Sequence, residues 1–262
     1  MYAFEFERPT TVDDAVKALA SEDAQALGGG QTLIPTLKQR LAAPETLVSL
    51  GGIAEMKGVC IGDGGEICVG GATTHAMVAA EAGQYPALAE LASHIGDPAV
   101  RNRGTIGGSL ANNDPSACNP AAALGSNATI ITNTCDIGAD DYFQGMFTTA
   151  LEEGEIITEV RFPVPEKANY QKFVQPASRF ALVGVFVAKY TDGVRVAVTG
   201  ASEEGVYRWS EAEEALSADF SAEAIAGLNM PADGLIGDLH GTPEYRAHLV
   251  KVMTGRAVTA AA

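Results

Sequence analysis

The chain has 262 residues and a formal net charge of −16 at pH 7, with 47% hydrophobic and 19% charged residues. This length is sufficient for a sizeable core and is typical of two domains. The negative charge argues against a nucleic-acid partner, because the phosphate backbone would be repelled.

The sequence contains no recognisable targeting or membrane segment. No apolar run approaches the ~20 residues that a membrane-spanning helix needs. The N-terminus lacks the basic region, apolar run and small-residue cleavage site of a secretory signal. We therefore expect a cytoplasmic protein without a transmembrane segment.

The cysteines and histidines show no pattern of metal ligands. Cys60, Cys68, Cys118 and Cys135 form no CxxC pair, and the four histidines are scattered. An iron–sulfur cluster needs about four closely spaced thiolates. We expect neither a cluster nor another metal site in this chain, and we expect buried free thiols at Cys60, Cys68 and Cys135.

The first 55 residues predict a β-α-β unit. The pattern indicates a half-buried strand at 2–7, a helix that starts after Thr11, a strand at 24–27, a helix at 33–41 and a strand at 46–50. A glycine-rich segment, Gly-Gly-Gly-Gln-Thr at 28–32, follows the second strand; we call it the first glycine segment. Glycines at a strand end are typical of a nucleotide site, although neither a Rossmann nor a P-loop motif is present.

The next hundred residues surround a second glycine-rich stretch. It reads RNRGTIGGSLANNDP at 101–115, has little helical or strand periodicity, and is predicted to be an irregular loop; we call it the second glycine segment. Before this segment the pattern predicts a hairpin at 59–69 and helices after Thr74 and at 85–95. After it, the pattern predicts a helix at 120–124, a hairpin at 128–138, a helical segment at 140–147 and a strand at 155–162.

The last hundred residues predict a small layer of strands followed by helices. Strands are expected at 170–174, 183–190, 194–199 and 205–209, and helices at 210–216, 221–228 and 243–253. Pro-Val-Pro-Glu-Lys at 163–167 is the best candidate for a linker. This order favours an α+β arrangement.

Both glycine segments have the chemistry of an anion site. Gly107 and Gly108 allow the backbone to adopt positive φ and to come close to something bulky. Successive backbone N–H groups in such turns form a concavity for anions, and nearby hydroxyl groups add donors. Two such segments in one chain favour a single ligand that carries two phosphates.

These segments also carry a family resemblance. Residues 28–35 (GGGQTLIP) and 95–110 (IGDPAVRNRGTIGGSL), together with residues 170–184, resemble the FAD-binding medium subunit of the molybdenum hydroxylases. That group includes the carbon-monoxide, aldehyde and xanthine dehydrogenases. The resemblance covers essentially the whole chain.

The resemblance implies an α+β fold with two domains. The FAD-binding domain, of the vanillyl-alcohol-oxidase (PCMH) type, would span residues 1–165, with subdomains at about 1–55 and 56–165. A C-terminal α+β domain, like that of the carbon-monoxide dehydrogenase flavoprotein, would span residues 166–262 and cover the flavin.

The resemblance also implies a set of cofactor-binding residues. They are Gly28, Gly29, Gly30, Gln31, Thr32, Thr74, Ile95, Thr105, Ile106, Gly107, Gly108, Ser109, Asp114, Cys118 and Ile157. No catalytic residue and no metal ligand is implied.

Several of these assignments have structural alternatives. Thr74 either reaches the ligand or caps the following helix. Asp114 either borders the flavin or starts a turn before Pro115. Cys118 stands where many relatives have an acidic residue; it either tunes the flavin or is a packed, inert thiol. Ile95 and Ile157 would pack against the ring, which a simple core role also explains.

The resemblance implies an electron-transfer subunit. FAD, bound non-covalently, would accept electrons from the [2Fe–2S] clusters of a small partner subunit and pass them to an external acceptor. Molybdopterin would belong to a large partner subunit, within a heterotrimer or its dimer. The alternative is a free-standing flavin oxidase of the vanillyl-alcohol-oxidase type, for which the roughly 100 residues after Pro163 are few. A nucleotide-binding scaffold without redox function is the third possibility.

Overall fold

The computed structural model describes residues 1–261 and begins with a three-stranded parallel sheet, ordered β1-β3-β2. Its elements are β1 (Glu5–Glu7), α1 (Val12–Leu19), β2 (Ala24–Leu27), α2 (Leu33–Lys38) and β3 (Thr46–Ser49). The Thr11 hydroxyl accepts a hydrogen bond from the Asp14 N–H at 3.2 Å, so the predicted start of α1 is confirmed. The predicted half-buried strand at 2–7 is wrong in part, because β1 is a three-residue edge strand whose side chains are exposed.

A second, five-stranded antiparallel sheet follows, with the order β4-β5-β10-β6-β7. The elements after β3 are β4 (Val59–Ile61), β5 (Ile67–Gly70), α3 (His75–Glu81), α4 (Pro86–Ser93), α5 (Pro98–Arg101), α6 (Ile106–Asn112), α7 (Asn119–Gly125), β6 (Thr129–Thr132), β7 (Asp136–Gly138), α8 (Ala139–Tyr142), β8 (Phe143–Gly145), β9 (Thr148–Thr149) and β10 (Ile157–Phe162). Strand β10, which comes last in sequence among the five strands of this sheet, thus lies at its centre. Both predicted hairpins are confirmed.

The third sheet is a four-stranded antiparallel meander covered by two helices. It contains β11 (Lys167–Val174), β12 (Ala181–Tyr190), β13 (Gly193–Ser202) and β14 (Gly205–Arg208), followed by α9 (Ser210–Ala218) and α10 (Pro243–Ala260). The observed mixture of sheets and helices confirms the predicted α+β class.

Strand β12 is buried on both faces and joins two cores. Val183 and Val185 pack with Met253 of α10 on one face. On the other face, Phe186 belongs to the core built from α4, α7 and the second sheet, and the centroid of its ring lies 6.2 Å from that of Tyr85.

The division into two domains at residue 166 stays a prediction. The hydrophobic core that contains Phe186 includes residues from both sides of that position.

The second glycine segment corrects the prediction of an irregular loop. Its middle part, Ile106–Asn112, forms α6, which buries Ile106 and Leu110, and the Thr105 hydroxyl caps this helix. The sequence hides this helix because its other positions are glycines and short polar residues, so tertiary packing supplies the stability that intrinsic propensity does not.

Three smaller predictions near the chain's second half also need correction. The helical segment at 140–147 ends at Tyr142 and continues as strand β8, and the helix at 221–228 is only a 3-10 turn, Ala222–Ile225. Helix α10 extends to Ala260 instead of ending near Met253. None of the helices within residues 1–261 is both long and apolar enough to cross a bilayer.

Candidate functional site

A cavity of about 650 Å³, which we call the central cavity, is lined by residues from all three parts of the fold. The loop between β2 and α2 and the start of α6 form one side. The chain leading into β10 and the turn between β11 and β12 contribute the rest. The three sheets together therefore position this site.

The first glycine segment presents unused donors to the cavity. Within residues 1–261, none of the backbone N–H groups of residues 28–32 donates a hydrogen bond to a protein atom. All five of these residues line the cavity, and Gly30 has a φ of +73°. Consecutive N–H groups in such a turn form a nest for an anion, because they place several partial positive charges at one point.

The two glycine segments touch each other, which explains why glycine is needed in the first. A Cβ atom on Gly29 would lie 1.9 Å from the carbonyl oxygen of Arg103. A Cβ atom on Gly28 would lie 2.9 Å from the hydroxyl of Thr105. Any side chain at Gly29 would therefore push the segments apart and open one wall of the cavity.

The second glycine segment works differently from the prediction. Gly107 and Gly108 are helical, so neither uses the positive φ that glycine allows. The N–H groups of Ile106, Gly107 and Gly108 donate to Thr73 O, Gly71 O and the Thr105 hydroxyl at 3.1, 2.9 and 3.2 Å. A Cβ on Gly107 would lie 2.6 Å from Gly71 O, so this glycine serves close packing.

The structure brings most of the predicted site residues to the central cavity. Those that line it are Gly28, Gly29, Gly30, Gln31, Thr32, Ile95, Thr105, Gly107, Gly108, Ser109, Asp114, Cys118 and Ile157. Thr74 and Ile106 do not. The Thr74 hydroxyl caps α3 by accepting from the Met77 N–H at 3.3 Å, and Ile106 lies in the hydrophobic core.

The other predicted residues occupy the cavity's walls. Ile95 and Ile157 contribute apolar surface, and Arg101 holds the Ile95 segment by donating to the carbonyls of Ile95 and Gly96 at 3.1 and 3.2 Å. Asp114 borders the cavity and also accepts from the Ser116 N–H at 2.8 Å, so its turn-forming role is present. Cys118 is buried.

Several residues outside the predicted set of site residues also line the cavity. His75 follows Thr74 directly, and burial lowers its pKa to about 4, so the imidazole is neutral at pH 7. Lys172 on β11 lines the cavity and donates to His94 O at 3.0 Å. The turn residues Ser178, Arg179 and Phe180 also contribute. Lys172 and the turn residues lie far from the glycine segments in sequence, and the fold brings them to the same cavity.

The cysteines depart from the sequence prediction in two ways. Cys60 and Cys135 are exposed, and only Cys68 and Cys118 are buried. In addition, Cys60, Cys68 and Glu159 offer ligand atoms that lie within 4.8 Å of one another. Sequence spacing could not show this group, because strand pairing in the second sheet brings its members together.

Comparisons with known proteins agree on one family. The family described as "FAD binding domain in molybdopterin dehydrogenase" matches residues 2–165. The nicotine 6-hydroxylase medium subunit of Paenarthrobacter nicotinovorans is 33% identical, with 99% of this chain and 97% of that protein covered. The carbon monoxide dehydrogenase medium chain of Afipia carboxidovorans is 32% identical, with 98% and 96% covered.

The solved structures show the same relationship. Carbon monoxide dehydrogenase from Hydrogenophaga pseudoflava matches with a TM-score of 0.87 at 31% identity, with 99% of this chain and 97% of that chain covered. Quinoline 2-oxidoreductase from Pseudomonas putida 86 matches with a TM-score of 0.87 at 28% identity, with 98% and 96% covered.

Proposed function

This chain belongs to the FAD-binding domain family of the molybdopterin dehydrogenases, and we propose that it is the FAD-carrying electron-transfer subunit of a molybdenum-dependent dehydrogenase or hydroxylase. FAD is held non-covalently in the central cavity. Electrons arrive from the [2Fe–2S] clusters of a small partner subunit and leave to an external acceptor, while a large molybdopterin subunit oxidises the substrate.

The shape and chemistry of the central cavity fit FAD. Its volume of about 650 Å³ lies within the ~300–1,000 Å³ that is common for cofactor sites. The unpaired N–H groups of residues 28–32 suit a pyrophosphate, because they provide donors without requiring a cationic side chain. Ile95 and Ile157 offer an apolar surface for a flat ring system. The donor-rich first glycine segment is the observation that carries the proposal.

The chain's own residues would divide the work of binding. The first glycine segment would hold the pyrophosphate, and the hydroxyl of Ser109 would add a donor beside it. Thr105 has a different role, since its hydroxyl already caps α6 and keeps the two glycine segments in contact. The walls at Ile95 and Ile157 would exclude water from the ring. When bound, FAD supplies storage for two electrons between one-electron donors and the final acceptor.

The subunit role is favoured over the free-standing oxidase by the relatives. The chain matches 96% of the length of the carbon monoxide dehydrogenase medium chain and 97% of the length of the nicotine 6-hydroxylase medium subunit. We therefore expect small iron–sulfur and large molybdopterin partners, assembled as a heterotrimer or its dimer. The substrate would be set by the large subunit.

Purification of the intact complex tests this function. The tagged chain, expressed together with its natural partners, should be recovered with FAD, iron and molybdenum in fixed ratio. Substrate should bleach the flavin absorbance of the complex. The FAD-loaded chain alone should not be reduced by the same substrate.

Two outcomes would contradict the proposal. Turnover of a primary alcohol or a phenol by the isolated FAD-loaded chain would indicate a free-standing oxidase. Flavin that stays oxidised while the complete complex turns over substrate would indicate a scaffold without redox function.

A further inference from the structure

The second sheet carries a pair of cysteines that its hydrophobic core does not use. Along β4, β5 and β10, apolar side chains such as Val69, Val160 and Phe162 point into the core. Because side chains alternate along a strand, Cys68 lies on the opposite face, outside that core cluster. Cys68 is therefore buried without belonging to the hydrophobic core of the second sheet.

Strand register places the two thiols next to each other. Cys60 on β4 is the direct cross-strand partner of Cys68 on β5. Main-chain bonds on both sides, Gly62 N to Glu66 O at 2.9 Å and Gly70 N to Gly58 O at 3.0 Å, keep this register. Directly opposed residues on one face have Cβ atoms about 5 Å apart.

The neighbouring strand adds a carboxylate to the same face. Glu159 on β10 is paired with Gly70, and Arg161 is paired with Cys68. Because Glu159 lies two residues before Arg161 on the same strand, its side chain points to the face of the sheet that carries Cys68. One ligand atom from each of Cys60, Cys68 and Glu159 lies within 4.8 Å of the other two.

We propose that Cys60, Cys68 and Glu159 form a binding site for one Zn²⁺-class cation, with solvent in the remaining position. Two thiolates and a carboxylate are a donor set that suits Zn²⁺, and the tetrahedral preference of this ion leaves one position open. Each thiol releases its proton to solvent as its sulfur bonds the ion. None of the three residues lines the central cavity, so the site is separate from that of FAD.

The electrostatics around the thiols favour a cation over a free thiolate. The carboxylate of Glu159 lies within 4.8 Å of both sulfur atoms and would repel a free thiolate. The nearby cation is Arg161, whose Nε lies 2.7 Å from Glu159. A bound divalent cation would relieve the repulsion among these groups and would deprotonate the thiols.

Cobalt titration of the reduced chain tests the site. The FAD-loaded full chain is freed of metal with a chelator, its four free thiols are confirmed by titration, and Co²⁺ is added without air. We expect one equivalent to produce a thiolate-to-cobalt charge-transfer band and the visible bands of tetrahedral cobalt. Zn²⁺ should abolish both, and an excess of Mg²⁺ or Ca²⁺ should not.

Variants assign the ligands. Cys60→Ser changes an exposed residue and should remove the charge-transfer intensity of one sulfur, with at least about tenfold weaker binding. Glu159→Gln should weaken binding by a similar factor while both sulfurs still contribute. The matched control is Cys135→Ser, which removes the other exposed thiol and should leave the titration unchanged.

Three results would overturn the site. One is the absence of a charge-transfer band when all four thiols are free. Another is unchanged cobalt binding in both Cys60→Ser and Glu159→Gln. The third is equal competition by Ca²⁺, which prefers oxygen ligands and would indicate an ordinary acidic surface.

Discussion

Gly29 stands at the contact between the two glycine segments, where a Cβ would lie 1.9 Å from Arg103 O. We predict that Gly29→Ala weakens FAD binding by at least about tenfold, or ~1.4 kcal/mol, because the segments must separate. Titration followed by flavin fluorescence measures this effect. Gly83→Ala is the control, since a Cβ there would meet no atom within 4 Å. If both variants bound FAD with equal affinity, the contact between Gly29 and Arg103 would not be needed for FAD binding.

His75 makes stability depend on pH in a defined window. Its folded pKa is about 4, below the ordinary value of 6.5, so the unfolded chain binds the extra proton between these values. Stability from this group is therefore complete above pH 6.5 and is lost as the pH falls toward 4. The cost at pH 5 is about 2 kcal/mol.

Urea unfolding at pH 7 and pH 5 isolates this contribution. The native chain should lose about 2 kcal/mol more between these pH values than His75→Gln, which cannot gain the proton. Parallel pH curves for the two proteins would show that His75 is not the group responsible.

At the scale of single elements, helix α6 depends on its cap. Thr105→Ala removes the acceptor for the Gly108 N–H and should cost about 1 kcal/mol of stability. Because α6 forms a cavity wall, the variant should also bind FAD more weakly. Thermal unfolding and FAD titration measure the two effects.

Thr242→Ala is the matched control for this cap. Its hydroxyl caps α10 by accepting from the Tyr245 N–H at 3.2 Å, and Thr242 does not line the cavity. A similar loss of stability with unchanged FAD affinity is expected. If both variants lose FAD equally, the effect reflects general stability and not the cap of α6.

The sequence predicted elements well where local signals agree with packing. Strand β2 and the two hairpins of the second sheet have alternating or apolar patterns bounded by glycines, and the structure confirms them. Helix α6 was missed because residues such as Gly107 lack helix propensity, and its contact with Gly71 O is tertiary. The anion-binding chemistry of residues 28–32 was predicted from the glycines, the hydroxyl of Thr32 and the strand that precedes them.

Other parts of the site depend on distant contacts that no local pattern encodes. Lys172 and Phe180 reach the cavity only because the third sheet packs on the first two. Cys60 and Glu159 meet only through the strand order β4-β5-β10. Such groupings depend on register and topology, which sequence spacing does not reveal.

At the scale of the whole molecule, the C-terminal part is expected to be required for both stability and FAD binding. Phe186 and Ala197 of the third sheet belong to the same core as Leu88, and Lys172 lines the cavity. A fragment of residues 1–165 should therefore unfold at least partly and fail to bind FAD. Circular dichroism and FAD titration test this, with added fragment 166–262 as the rescue; full affinity in the fragment alone would contradict it.

The most direct test of the account is an FAD titration of the purified chain, followed by flavin fluorescence, with FMN and ADP as competitors. Saturable binding of one FAD is predicted. FMN, which lacks the pyrophosphate, and ADP, which lacks the ring, should each compete at least about tenfold less well. If FMN bound as tightly as FAD, the donors of residues 28–32 would not be holding a pyrophosphate, and the central assignment would be wrong.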